Sequence, residues 1–530
     1  MSFTSRIAQG GQSSGLNELN RLRSVYARSI IALVPLLLFL IVVNLLGDGG
    51  SSLVGFFRAA APVYYAAVLL FAAQRILRIN AMSIWTPIFW IPVVSAVYFG
   101  IGPLVEVFGN ETTQSALDSH RLAVTSLELV RVHLLCTMSV MALMGGVWLH
   151  MMLVPSVWAR AVTRTGLAVS RPVIEPARLA LIFVIGGAVF RYLIIKPSQW
   201  GMLDISIPGV LSAASYTLDL GFGLMAFVAA RREGSWRPLL IALLSVHVFL
   251  TVLGFAKAEL VIALLFPALG AYIAHRKMRR LALNVGFIVG AFMIAQPYVS
   301  YARAEVWLET GTISQASYQR RLGILRDYVV NGGPDAVFEV TERRQGWWTR
   351  LNFAGPQAFA MNAYDKGLRG DSLDGVWTMF IPRAIWPDKP IYQGPGGAFY
   401  SLVTGREATS FLALSVYGDL YWQFGWLGVL IGCPLIGWYF AMLSWRSLLV
   451  IKTREFLFMP AVLIALQAAM QGLTKYVANG IVASIPIYIA YWIFCLMVLR
   501  VLASMRRPKR HPRFRAEQSF MQRRVSNLQS

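Results

Sequence analysis

"SIIALVPLLLFLIVVNLL", residues 29–46, runs eighteen positions without a charged side chain. As a helix rising 1.5 Å per residue it reaches about 27 Å, close to the ~30 Å of hydrocarbon in a bilayer. It follows a polar leader of 28 residues, so it reads as a retained span and not as a cleaved signal. Comparable apolar runs recur to residue 503. Twelve spans are predicted, at about 30–46, 59–74, 83–105, 131–155, 178–196, 207–230, 238–254, 258–275, 281–299, 411–444, 456–474 and 480–503. The composition agrees: 57% of the 530 residues are hydrophobic and 14% charged, against about a quarter charged in soluble domains.

The formal charge of +23 is distributed by loop parity. If the N-terminus is cytoplasmic, most basic residues outside the spans fall in cytoplasmic loops and tails. Short segments of the other side hold only Arg58, Arg121, Arg131, Arg191, Lys196, Lys257 and Lys475. This is the positive-inside asymmetry. Basic residues scattered among spans argue against a nucleic-acid surface. The expected organisation is an all-α polytopic membrane protein: a cytoplasmic tail over 1–29, nine spans over 30–300, an outer segment over 301–410, three spans over 411–503, and a basic cytoplasmic tail over 504–530.

The outer segment carries twelve basic and eleven acidic residues over 300–410, a balance expected of a folded cap. "SYQRRLGILRDYVV" (317–330) predicts a helix whose apolar face is Tyr318, Leu322, Leu325 and Val329, and "NGGP" should end it. "GPQAFAMNAYDKG" predicts a second helix, with Pro356 in its first turn and Gly367 after its end. The six histidines show no metal-ligand spacing, and there is no GxxxxGK[ST] or GxSxG motif. No metal or cofactor is therefore expected. Charges instead gather at or just inside the outer ends of the spans, Arg191, Lys257, Glu259, Arg303, Glu305 and Asp419, with Asp219 deeper, about mid-span. Charge at such depth is costly and faces a partner or a polar cavity, or else snorkels to the interface. Arginine and lysine there suit a phosphate-bearing ligand.

"IPRAIWPDKP" (381–390) is the stiffest part of the cap. Each proline fixes its own φ and biases its predecessor toward extended backbone. Arg383, Trp386 and Lys389 are thereby held for a ligand, or the prolines end a helix and Trp386 joins an interfacial belt.

That stretch, with "GAFY" (397–400), "ATS" (408–410) and "YGDLYWQFGWLGVLIG" (417–432), resembles the Wzy-type repeat-unit polymerases of O-antigen and exopolysaccharide in bacterial inner membranes. "GFAKAEL" (254–260) is similar to that family's Gly-Ser-Arg-Gly turn, with Lys257 in the arginine's place. The likeness covers about residues 250–430. It implies a GT-C-like glycosyltransferase, metal-independent, acting at the periplasmic face on oligosaccharide units carried by undecaprenyl diphosphate. Membrane lipids surround such an enzyme, and a chain-length regulator and a flippase would be its protein partners. The acceptor hydroxyl needs a general base, for which Asp419, Glu305, Glu259 and Asp219 are the candidates. Asp419 sits where the resemblance places an acidic residue and is expected to be the base, with Glu305 next in line. Glu259 balances Lys257, and Asp219 is set aside as mid-span. Lys257, Arg303, Arg383, Trp386, Lys389 and Arg406 would bind the substrate. The alternatives are an O-antigen ligase, disfavoured because residues 300–410 contain no histidine; a lipid-linked oligosaccharide flippase; and a structural subunit of a secretion complex. Reporter fusions at Gly333 and Ser526 are expected on opposite sides of the membrane; the same side for both would overturn the topology.

Overall fold

The computed structural model describes residues 3–47, 51–110, 122–162, 174–200, 202–203, 207, 209–231, 236–310, 316–330, 348–381, 385–386, 388, 394–408 and 411–505. Among these there is no strand. Twelve helical segments are long and apolar enough to cross a membrane: Gly15–Leu46, Ser52–Ile79, Pro87–Phe108, Ser126–Leu153, Pro176–Gln199, Leu211–Arg231, Trp236–Leu253, Lys257–His275, Met278–Val306, Val416–Thr453, Phe456–Thr474 and Ala478–Leu502. They are numbered spans 1 to 12 below, and each corresponds to one of the twelve predicted from hydropathy. The chain is a multi-pass membrane protein. The first helix is longer than its span, beginning at Phe3, so the polar leader continues the same rod.

Spans 1–4, 10 and 11 form one packed group, and spans 5–8 another, with span 9 laid along span 8. Close approach replaces the hydrophobic effect inside lipid, and glycine permits it. Spans 4 and 10 cross at Gly146 and Gly437: a methyl on the first would collide with the Pro434 carbonyl, and on the second with that of Leu143. Trp85 packs on Phe266, and Phe227 on Phe456, joining the two groups.

The described parts of residues 316–411 cover one end of the bundle, called here the cap face. Trp348 donates to the Ile101 carbonyl at the end of span 3 (3.0 Å), and Asn362 donates to Glu128 at the start of span 4. Both predicted cap helices are present, Tyr318–Val330 and Ala354–Asp365. Gly367 follows the second with φ 83°.

The face that Tyr318–Val330 buries differs from the expected one. Leu322 and Val329 are 47% and 74% exposed, while Arg321 and Ile324 are each 1% exposed. The reason is Arg321. Its guanidinium lies 4.2 Å from the Trp200 ring and 4.5 Å from the Phe255 ring, and donates to the carbonyls of Ala316 (2.9 Å) and Leu253 (3.1 Å). Two aromatic faces and two carbonyls make that burial tolerable. Burial pulls the group down from its ordinary value to about 10, so it remains a cation at neutral pH. An apolar-periodicity argument counts arginine as solvent-facing and sets the helix on the wrong side.

The other departure is in span 10. Gly425 has φ 62° and ψ −148°, outside any helix. In a straight helix Leu420 and Gly428 would lie about 12 Å apart. Here a methyl on Gly428 would strike the Leu420 carbonyl, and one on Gly432 the Leu420 side chain. Residues 416–424 are thus a short helix folded back against the start of the true span. Gly425→Ala places a Cβ in a left-handed conformation, 2.7 Å from the Tyr364 ring. We expect it to cost about 1–3 kcal/mol, read as a lower unfolding midpoint in detergent. Gly286→Ala, with open space around it, should leave the midpoint unchanged.

Candidate functional site

The folded-back helix carries Asp419. Ser415 caps it, its Oγ accepting from the Gly418 N–H (3.3 Å), and the turn at Gly425 presses it against residues 428–432. Asp419 is 0% exposed. Its Oδ1 accepts from Ser372 Oγ (2.6 Å) and Gln423 Nε2 (2.9 Å), and its Oδ2 from the Val477 N–H (2.8 Å). All three donors are neutral, and among the described residues Asp419 has no salt bridge. A carboxylate accepts about four hydrogen bonds, so three donors fix its orientation and leave one direction open.

Gln423 and Val477, both bonded to Asp419, also form the wall of a cavity of about 710 Å³ between spans 10 and 12. Most of the rest of that wall is apolar, including Leu420, Phe424, Leu427, Ile431, Leu435, Ile481 and Ile485. Leu427, Ile431 and Leu435 are 61–69% exposed, so the groove opens sideways toward lipid. Its polar mouth holds Arg369, whose guanidinium stands 5.5 Å from the Tyr364 ring. Nearby, Arg131 pairs with Asp365, and both bond the Tyr421 hydroxyl (3.2 and 3.1 Å). Trp422 donates to the Leu368 carbonyl (3.0 Å) and packs edge-on to Phe399. An apolar channel ending in cationic and aromatic groups beside a buried carboxylate suits a lipid with a charged, sugar-bearing head.

A second constellation lies among spans 5–8. Span 5 widens into a π-helical turn at Val189–Ile195, a distortion common at functional positions, and Arg191 within it is buried. Arg191 donates to Asp219 and Glu259 (2.8 Å each). Lys196 donates to the other Glu259 oxygen (2.7 Å), and His247 bonds Asp219 (3.0 Å) and the Tyr192 hydroxyl (2.7 Å). Two cations thus answer two anions, and the imidazole bridges to a phenol, stacked on Phe222. A buried ionic set persists only when its members satisfy one another in this way.

The structure divides the residues expected to form one site. Lys257 donates to Ser300 Oγ (2.9 Å) and Arg303 to the Phe255 carbonyl (2.8 Å), both around the turn between spans 7 and 8. Glu259 answers Arg191 and Lys196 rather than its neighbour Lys257. Glu305 is half-buried near Tyr301 at the end of span 9. Asp219 lies in the first turn of the helix Thr217–Arg231, about the middle of span 6. Trp386 stacks on Trp377 (6.0 Å between ring centres), and Arg406 is exposed beyond the helix Gly396–Thr404. Arg383 and Lys389 lie outside the described residues. Sequence reasoning missed Ser372, Gln423, Lys196, His247 and Arg321. Only Gln423 left a local signal, its i, i+4 spacing from Asp419 on one helix.

No protein-family model, curated protein or solved structure matches the chain.

Arg191→Gln strips both carboxylates of a buried cation. The expected cost is about 3–5 kcal/mol, measured as a fall in the unfolding midpoint. An unchanged midpoint would show that the ionic set does not hold spans 5, 6 and 8 together.

Proposed function

We propose that the chain polymerises oligosaccharide units carried on undecaprenyl diphosphate, at the outer face of a bacterial inner membrane and without a metal ion. The supporting observation is Asp419, buried among neutral donors directly behind the wall of a lipid-facing groove, two of those donors, Gln423 and Val477, lining it. It falls within the stretch 417–432 that resembles the polymerases. The positive-inside asymmetry supports an outer position for the cap face.

In this reading a hydroxyl of one unit attacks the anomeric carbon of another chain. The bond from that carbon to the carrier's diphosphate breaks, and the lipid diphosphate leaves with the electron pair. Asp419 takes the hydroxyl proton. Basic groups on the cap face offset the leaving diphosphate's charge as it develops. Arg383, Lys389 and Arg406 are the proposed set, joined now by Arg369 at the groove mouth; Lys257 and Arg303 bond around the turn between spans 7 and 8 and do not line this groove. Trp386, half-buried beside Trp377, offers a ring on which a sugar can stack; Tyr421 and Trp422 are buried and shape the site from behind. Glu305 is the reserve base.

One observation favours a second reading, export of the lipid-linked unit. A bonded Asp–His–Tyr chain with Arg, Glu and Lys inside the spans is of the kind that relays protons in transporters. Deleting the gene separates the two. Loss of a polymerase leaves single units on the cell surface, whereas loss of an exporter leaves carrier-linked units inside.

Asp419→Asn keeps the shape and most hydrogen bonds but removes the basic oxygen. The expected variant inserts at wild-type levels and yields only single-unit product on gels of surface polysaccharide. Polymer of normal length would remove Asp419 as the base and turn attention to Glu305.

A further inference from the structure

Four arginines meet in one groove on the face opposite the cap: Arg21 and Arg28 of span 1, Arg75 and Arg78 of span 2. Spacings of seven and three residues set each pair on one side of its helix. The groove encloses about 750 Å³, and beyond the arginines its walls are mostly apolar, with Val25, Ala32, Ala67 and Val68, and with the hydroxyls of Ser24 and Ser29 near the arginines. From Arg21 to Ala32 is eleven residues, about 16 Å along the helix. At the far end the Tyr64 hydroxyl donates to the Ala32 carbonyl (2.8 Å), bridging the two helices there. The Arg75 guanidinium lies over the Phe71 ring.

Among the described residues no acid pairs with this charge. Span 2 has no acidic residue, and Glu18, the single acid of the first helix, is turned inward and lies within electrostatic reach of Lys452. Among the described residues none of the four arginines has a hydrogen bond or salt bridge through its side chain. A guanidinium is a planar fork suited to phosphate oxygens, and an acyl chain is the partner that fits an apolar slot between two spans.

We propose that this groove holds one anionic phospholipid of the surrounding leaflet, its phosphate among the four arginines and one acyl chain along the slot toward Ala32. A merely basic surface also attracts an anionic leaflet, but it needs no slot. The slot is what makes this a site rather than a patch.

Native mass spectrometry of the full chain in detergent tests this, with phosphatidylglycerol, phosphatidylcholine of the same acyl chains, or inorganic phosphate added in turn. The wild type should retain phosphatidylglycerol selectively. The Arg28→Gln/Arg75→Gln variant should retain one molecule fewer, and Arg160→Gln, on the same face outside the groove, the same number as wild type. Ala67→Trp, with all four arginines intact, should also lose one molecule. Equal retention of phosphatidylcholine overturns the proposal, as does displacement by inorganic phosphate. An Ala67→Trp variant that binds like wild type reduces the feature to surface attraction and overturns it too.

Discussion

Within hydrocarbon, a charged side chain or a backbone polar group without a partner inside the protein is costly. This chain meets the constraint for backbone by making helices, and for its buried charges in two distinct ways. Among spans 5–8, Arg191 and Lys196 answer Asp219 and Glu259 charge for charge. At Asp419 three neutral donors orient the carboxylate, and no described cation neutralises it. The first arrangement is closed; each charge is spent on a neighbour, and the result is a clamp across four spans. The second leaves a charge for something else to answer. That contrast separates a structural ionic set from a candidate reactive group more sharply than depth or burial does.

How much was legible in the sequence follows from the same constraint. Apolar length is enforced at every crossing, so all twelve spans could be read from hydropathy, and the two cap helices from their stop signals. Side-chain partners are enforced only in three dimensions. His247 gave no sign that it would bridge Asp219 and Tyr192, because they stand 28 and 55 positions away. The rotation of Tyr318–Val330 was hidden for a related reason: Arg321 becomes a core residue only once Trp200 and Phe255 are beside it. The fold-back at Gly425 needed a backbone angle that glycine permits but does not announce. Asp419 was legible because it sits in a stretch with a family resemblance, while its donors, Ser372 and the Val477 amide, come from distant loops.

The fold-back also explains why so short a stretch contributes so much. Residues 416–436 supply the carboxylate, one of its donors and much of the lipid-facing wall. The reversal lets a single segment present its polar end inward and its apolar end to the groove. Neither a straight span nor a surface loop could do both.

The burial of Arg321 has a consequence for the order in which the protein is built. Trp200, Leu253 and Phe255, which enclose it, are all synthesised earlier. The first cap helix can therefore dock as soon as it emerges behind span 9. The later cap residues bond forward in the chain: Gln357 to Ser415, Leu368 to Trp422 and Ser372 to Asp419. Trp348, Asn362 and Asp365 can bond spans 3 and 4 earlier, but these forward contacts wait until span 10 exists. Domains form from the N-terminal end during synthesis, so assembly here runs in two stages. A ribosome paused after residue 330 would display a finished half-bundle with its own lid, while the pocket around Asp419 would still be unmade.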